Sequence, residues 1–335
     1  MNHQILRQLL LGALLLSTGC HRSAPGAAGP RPTTAGTSST NLFQRMAKGA
    51  ETPKINPQQL DVYLAQEHRS ATSLLAASRV TGDETLLEEA LRAQPADPRV
   101  ALAALTRPGG AREGRHSLIV AFKKSAPDNS LPNYLAALEE FRAGQPNQAV
   151  RELGAAAKNP LQDYSADFVA SSRAAYQAAG CSPADAATAA QLALPLPHLV
   201  QLKELAQAIV DLAVKYRQSG NSRGAQTLLQ IGFELGQRLN SGSGTLVRDL
   251  VGIAIQRLML GSLDPTAPFG ASGQSVQNQL DALAHERDTL QALARQQEGI
   301  VGSLSDGEVV QYLEQVATTG ERAAAQWVLT KYSPK

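Results

Sequence analysis

Apolar residues recur with a helical period along nearly all of the chain from residue 56 onward, with polar residues between them. A capping residue followed by proline is a typical helix start, and it occurs at Asn56-Pro57, Asp97-Pro98 and Ser182-Pro183. No alternating strand pattern and no Asn-Gly hairpin interrupts this pattern. The sequence therefore predicts an all-α body, built largely from the good helix formers Ala, Leu and Gln.

Pairs of predicted helices meet at a glycine, with large and small residues at matching positions on either side. One copy consists of Ile209, Leu212, Ala213, Tyr216, Gly220, Ala225, Leu229 and Gly232; a second consists of Tyr134, Leu138, Phe141, Gly144, Ala149, Leu153 and Ala156. Looser copies surround Gly82, Gly180 and Gly320. This spacing resembles the tetratricopeptide repeat (TPR), in which two antiparallel helices meet at a tight turn. The resemblance implies an irregular α-solenoid of TPR-like helical hairpins. A generic helical bundle is the alternative.

Composition divides the body into three parts. TPR-like repeats are expected over residues 57–261, a Pro/Gly/Ser-rich linker over 262–276, and a C-terminal helix with a terminal hairpin over 277–335. The amphipathic helix at 277–295 is expected to close the end of the solenoid as a cap. Pairing with another chain is the alternative, although the helix contains fewer heptads than a coiled coil needs.

The first nineteen residues have the pattern of an export signal. A positive start precedes a short apolar stretch at residues 9–16, and the small residues Ser17, Thr18 and Gly19 follow. As a helix this apolar stretch would rise roughly 12 Å, far less than the roughly 30 Å hydrocarbon layer of a bilayer. The segment is therefore expected to direct export and not to span the membrane.

The sequence Gly19-Cys20 at the end of this segment resembles the lipobox of bacterial lipoproteins. The resemblance implies a signal peptide at 1–19, cleavage before Cys20, a diacylglyceryl group on its thiol and acylation (palmitate) of the new amino terminus. His21 follows, and in this family a residue other than Asp there favours the outer membrane. A periplasm-facing or surface-exposed lipoprotein of the cell envelope, held by an N-terminal lipid anchor, is thus expected. Ordinary secretion is the alternative reading.

Residues 20–56 are rich in Ala, Gly, Pro, Ser and Thr, with no acidic residue before Glu51. Such a composition cannot bury enough apolar surface to offset the entropy of ordering the chain. We therefore expect a flexible, disordered tether between the lipid anchor and the folded body.

Composition narrows the possible partners. The 31 Lys and Arg nearly balance the 29 Asp and Glu, so no basic excess points to nucleic acid. Aromatic residues make up 4% of the chain, which leaves few platforms for stacking sugars or nucleotides. No phosphate-binding glycine loop and no Gly-x-Ser-x-Gly element is present, and His285-Glu286 has no second His at the zinc-binding interval. We expect no catalytic residue, no metal and no cofactor.

These features together favour a non-catalytic scaffold that binds a protein or peptide along a helical groove. If the first helix of each hairpin faces inward, Glu139, Arg142, Arg217 and Gln218 line that groove. Two alternatives stay open: an envelope enzyme or accessory subunit with a dispersed site, and a purely structural component of an envelope complex.

Overall fold

The computed structural model describes residues 41–107, 114–270 and 273–332. The expected signal peptide, the lipidation site Cys20 and most of the expected tether lie outside these residues. Within the described ranges the regular structure is helical, apart from one isolated β-bridge between Pro268 and Ser275. No helix in these ranges is both long enough and apolar enough to cross a bilayer.

Sixteen helices follow one another along the described chain. The first eight are α1 (Leu42–Ala47), α2 (Pro57–Gln66), α3 (Ala71–Thr81), α4 (Glu84–Ala93), α5 (Pro98–Thr106), α6 (Arg115–Ser125), α7 (Leu131–Arg142) and α8 (Pro146–Ala156). The others are α9 (Ser165–Ala178), α10 (Pro183–Leu192), α11 (Pro197–Gln218), α12 (Ser222–Leu239), α13 (Leu246–Leu260), α14 (Val276–Val301), α15 (Asp306–Thr319) and α16 (Glu321–Tyr332).

The three predicted helix starts are confirmed by side-chain caps. The Asn56 side chain accepts a hydrogen bond from the Gln58 backbone N–H at 2.9 Å. Asp97 and Ser182 cap α5 and α10 in the same way. Each cap satisfies a backbone donor that has no partner inside its helix, which is why these residues locate the helix starts.

The predicted hairpins are present. Gly144 and Gly220 adopt positive φ angles of 72° and 81° in the turns between α7 and α8 and between α11 and α12. The two helices of each hairpin pack together, with the small residue Ala149 fully buried in one seam and Ala225 in the other. The body is thus an all-α helical repeat, compatible with TPR-like hairpins.

The hairpins do not all stack in chain order. Helix α7 packs on α11 and α8 packs on α12, so the intervening α9–α10 hairpin lies outside this stack. Instead, α9 packs against α3, and α10 packs against α15 of the terminal hairpin. The α9–α10 hairpin therefore joins the N-terminal helices to the C-terminal ones.

The first described residue, Asn41, contacts the C-terminal end of α14. The Asn41 side-chain amide donates hydrogen bonds to the Val301 carbonyl at 3.1 Å and the Leu304 carbonyl at 2.7 Å. Arg45 forms an ion pair with Asp185 on α10 at 2.5 Å. Within the expected tether of residues 20–56, Leu42–Ala47 thus forms α1, which packs against α10.

Helix α14 has 26 residues and packs against both α13 and α16. Leu283, Leu290 and Leu293 belong to the same apolar core as Ala325 of α16. The sequence predicts that this helix caps the end of the solenoid. In the structure it lies between α13 and α16 and packs against both.

Candidate functional site

An open cleft of about 600 Å³ follows one face of α12. We call it the α12 cleft. Helix α12 contributes Gln230, Phe233, Glu234, Gln237 and Arg238, whose spacing of three or four residues places them on one side; Gly270 and Gln279 lie opposite. The site therefore lies between α12 on one side and, on the other, the loop before α14 together with the first turn of α14.

In the wall opposite α12, hydrogen bonds join residues 265–270 to residues 273–279. The Val276 N–H donates to the Ala267 carbonyl at 2.9 Å. The Gln279 side-chain amide donates to the Phe269 and Gln274 carbonyls at 2.8 and 3.1 Å. One glutamine thus connects the loop to the first turns of α14 while also lining the cleft.

The floor of the α12 cleft is aromatic. The rings of Phe233 and Phe269 meet edge to face, with centroids 5.4 Å apart and an interplanar angle of 80°. Both residues are buried, and Phe233 also lines the cleft. This pair attaches the loop to α12 and provides an apolar base beneath the polar side chains.

The guanidinium of Arg238 forms hydrogen bonds with residues that do not line the cleft. Its guanidinium donates to the Tyr134 hydroxyl at 2.5 Å and to the Ala156 and Ala157 carbonyls at 3.2 and 2.6 Å. These carbonyls lie at the C-terminal end of α8, where the helix dipole favours a cation. Burial raises the pKa of Tyr134, although Arg238 partly opposes the shift. Arg238 therefore joins α12 to α7 and α8.

Glu234 is the carboxylate of the cleft. The Gln230 side-chain amide donates to Glu234 Oε1 at 3.1 Å, which orients the carboxylate. No salt bridge among the described residues involves Glu234, in contrast to Glu139, Glu152 and Glu204. The cleft thus combines amides, an aromatic floor and an acid that forms no salt bridge within the described chain, although Arg238 lies one helical turn away.

The structure brings two of the four predicted groove residues together. Glu139 and Arg142 form an ion pair at 2.7 Å on α7, and Arg142 also pairs with Glu204 of α11 at 2.5 Å. Arg115 contacts Glu139 at 3.0 Å from α6. These residues therefore form a network that connects three helices.

The other two predicted residues lie near the far end of α11. Arg217 donates to the Ser262 carbonyl at 2.5 Å, and Gln218 is exposed. From Glu204 to Arg217 the helix rises about 20 Å, so these residues are not brought together with Arg142. None of the four predicted residues lines the α12 cleft.

The sequence pattern does not identify the residues of the α12 cleft. It predicts a groove lined by the first helix of each hairpin, whereas α12 is the second helix of its hairpin. A signal did exist, because Gln230, Phe233 and Gln237 fall on one helical face. The opposite wall depends on hydrogen bonds between loop residues and has no periodic signature.

A buried polar cluster lies away from the cleft. Asp163 Oδ2 lies 3.4 Å from His198 Nε2 and 3.9 Å from Arg248 Nε, and its other oxygen accepts from the Ser165 N–H. Burial alone would raise the pKa of Asp163, but the contacts with His198 and Arg248 outweigh burial and hold it well below its ordinary value. We call this the Asp163 cluster, and it joins the starts of α9, α11 and α13.

A second polar cluster holds the terminal hairpin. Asp249, which is fully buried, lies 3.2 Å from Arg322 Nε, and Arg322 also contacts Glu286 at 3.0 Å. Burial raises the pKa of Asp249, although Arg322 opposes this shift. Among the described residues, no group of three or more His, Cys, Asp or Glu has an arrangement suited to a metal ion.

Comparisons with known proteins add no assignment. No protein-family model matches the chain, and neither a curated protein nor a solved structure matches it.

Proposed function

We propose that this protein is a membrane-tethered lipoprotein of the cell envelope that binds an extended peptide segment in the α12 cleft, without catalysis. The observation that carries the proposal is the lining of the cleft, where glutamine amides stand above an aromatic floor. The N-terminal sequence supports the tethering part.

Glutamine side chains suit the backbone of a peptide. Each primary amide both donates and accepts hydrogen bonds, and each non-proline peptide residue offers one donor and one acceptor. Gln237 is exposed and Gln230 is half-buried, so both are open to a ligand. Phe233 can receive an apolar side chain from the same segment. A preformed wall also reduces the entropy lost on binding.

The lining favours binding over catalysis. It contains a single carboxylate, and no His, Ser, Cys or Lys contributes to it. A nucleophile with an adjacent base, the usual arrangement for covalent hydrolysis, is thus absent from the described lining. The Asp163 cluster has a carboxylate beside a histidine, but none of its residues lines the cleft.

Replacing Gln237 with alanine is expected to weaken peptide binding about 2- to 12-fold, because a net hydrogen bond contributes about 0.5–1.5 kcal/mol. Peptides would be selected from a displayed random library on the full chain, and their Kd values measured by fluorescence anisotropy. Gln218→Ala removes an exposed amide from α11 and serves as the matched control. Equal Kd values for both variants and the wild type would contradict the assignment of the cleft.

The position of the tether is compatible with an accessible cleft. The described chain begins beside the last turn of α14, at Val301, whereas the cleft lies beside Gln279 near its first turn. Along α14 these positions are about 33 Å apart. A lipid anchor attached through residues 20–40 would therefore join the body about 33 Å along α14 from the cleft.

Replacing Cys20 with alanine is expected to release the protein from membranes and to abolish its metabolic labelling with palmitate. Each buried CH₂ of an acyl chain contributes about 0.8 kcal/mol, so the loss of all chains removes the anchor. Cys181→Ala is the matched control, since the chain contains two cysteines and Cys181 lies in the folded body. Labelling that persists in Cys20→Ala would refute lipidation at this residue.

A further inference from the structure

We infer that the α12 cleft selects peptides that carry a basic residue, with Glu234 as the group that receives the lysine ammonium or arginine guanidinium. This inference rests on the proposed peptide-binding function and adds the class of ligand. It commits to an extended basic peptide as the occupant.

Glu234 has no ion-pair partner within the described chain. It is half-buried in the cleft lining, its Oε1 accepts from Gln230, and no salt bridge of the described chain involves it. Two other half-buried glutamates on the repeats have a cationic partner, since Glu139 pairs with Arg142 and Glu152 pairs with Lys123. A cation supplied by a ligand would complete the same kind of pair.

The described lining of the cleft contains two ionisable residues, one of each charge. Arg238 is the other ionisable residue of the lining, and its guanidinium donates three hydrogen bonds to α7 and α8. Its charge is therefore directed to the C-terminal end of α8, which carries partial negative charge. Arg238 forms no ion pair with Glu234, so the Glu234 carboxylate is still available to a cation supplied by a ligand.

An aromatic residue lines the cleft next to Glu234 in the chain. Phe233 precedes Glu234 on the same helix and lines the same cleft. A lysine or arginine side chain has an apolar stem that packs on such a surface while its charged end reaches an acid. An aromatic ring also attracts a cation directly. A cleft that contains both Phe233 and Glu234 therefore suits a lysine or arginine side chain of a peptide better than a glutamine side chain.

The test uses the full chain in detergent and pooled octapeptides. The fourth position is fixed as Lys, Arg, Gln or Glu, and the other positions are random. The wild type is expected to bind the Lys and Arg pools at least about threefold more tightly than the Gln pool, and the Glu pool least tightly. Glu234→Gln is expected to lose this preference while binding the Gln pool as the wild type does. Glu298→Gln removes the same charge from an exposed position near the other end of α14 and should keep the preference.

The outcomes separate this inference from the function on which it rests. Equal binding of all four pools by the wild type would overturn the basic preference and leave peptide binding intact. A preference that persists in Glu234→Gln would overturn the role of Glu234. Failure of every pool to bind the wild type would overturn both proposals. Circular dichroism of each variant checks that the fold is unchanged.

Discussion

The Asp163→Ala variant is expected to lose about 3–5 kcal/mol of its free energy of unfolding, because removing one partner of a buried ion pair leaves the other uncompensated. Asp163 is buried and contacts His198 and Arg248 from two other helices. Arg248 Nε and His198 Nε2 have no hydrogen-bond partner, and both lie within 4 Å of the Asp163 carboxylate, so its removal takes away the negative charge that offsets their burial.

Chemical denaturation at pH 7 measures this loss, and Asp167→Ala is the matched control. Asp167 carries the same charge four residues later in the first turn of α9, but it is exposed. Its removal is expected to change the free energy of unfolding by less than about 1 kcal/mol. If both variants lost the same amount, the Asp163 cluster would have no special role in stability.

The effect of Asp163 should also depend on pH in a definite direction. Its folded-state pKa lies well below the ordinary value, so its contribution is complete above the unfolded pKa of about 4. The contribution is lost as the pH falls toward the folded pKa. The stability difference between the wild type and Asp163→Ala should therefore shrink when denaturation is repeated at pH 3.

Replacing Gly252 with alanine is expected to destabilise the protein by about 2 kcal/mol, although alanine is the better helix former. Helices α12 and α13 approach each other through Gly236 and Gly252. A Cβ at Gly252 would lie 2.5 Å from the Gly236 carbonyl oxygen and 2.6 Å from the Asn240 backbone nitrogen. Both atoms belong to the backbone, so the two helices would have to move apart.

Gly154→Ala is the matched control for this prediction. Gly154 lies within α8, is exposed, and has open space where a Cβ would stand. Its replacement is expected to stabilise the protein by about 0.5–1 kcal/mol, because only the helix propensity changes. Opposite signs for the two variants in thermal unfolding would support close helix contact at Gly252. A gain of stability in both would contradict it.

The candidate site was only partly predictable. The sequence predicted a binding surface on the repeats and named Glu139 and Arg142, which the structure places in one ion-pair network. It did not identify Gln230, Glu234 or Gln279, because a polar helix face looks the same whether it meets solvent or a cleft. The wall beside α12 exists only because Gln279 and Phe269 fold the preceding loop back onto that helix.

The sequence by itself determined the helices, their starts and their turns. A cap such as Asn56 acts on a backbone N–H two residues away, and Gly144 permits a positive φ in its own turn. These effects depend on near neighbours in the chain, so a local pattern is enough to predict them.

Only the tertiary structure decided which helices meet. An apolar stripe shows that a helix face must be buried, but many other stripes could cover it with a similar gain in free energy. The α9–α10 hairpin packs outside the stack, against helices that are distant in the chain. The contacts between Asn41 and Leu304 and between Tyr134 and Arg238 also join residues that are far apart in sequence. Their geometry depends on how all the side chains pack at once, and no local pattern contains that information.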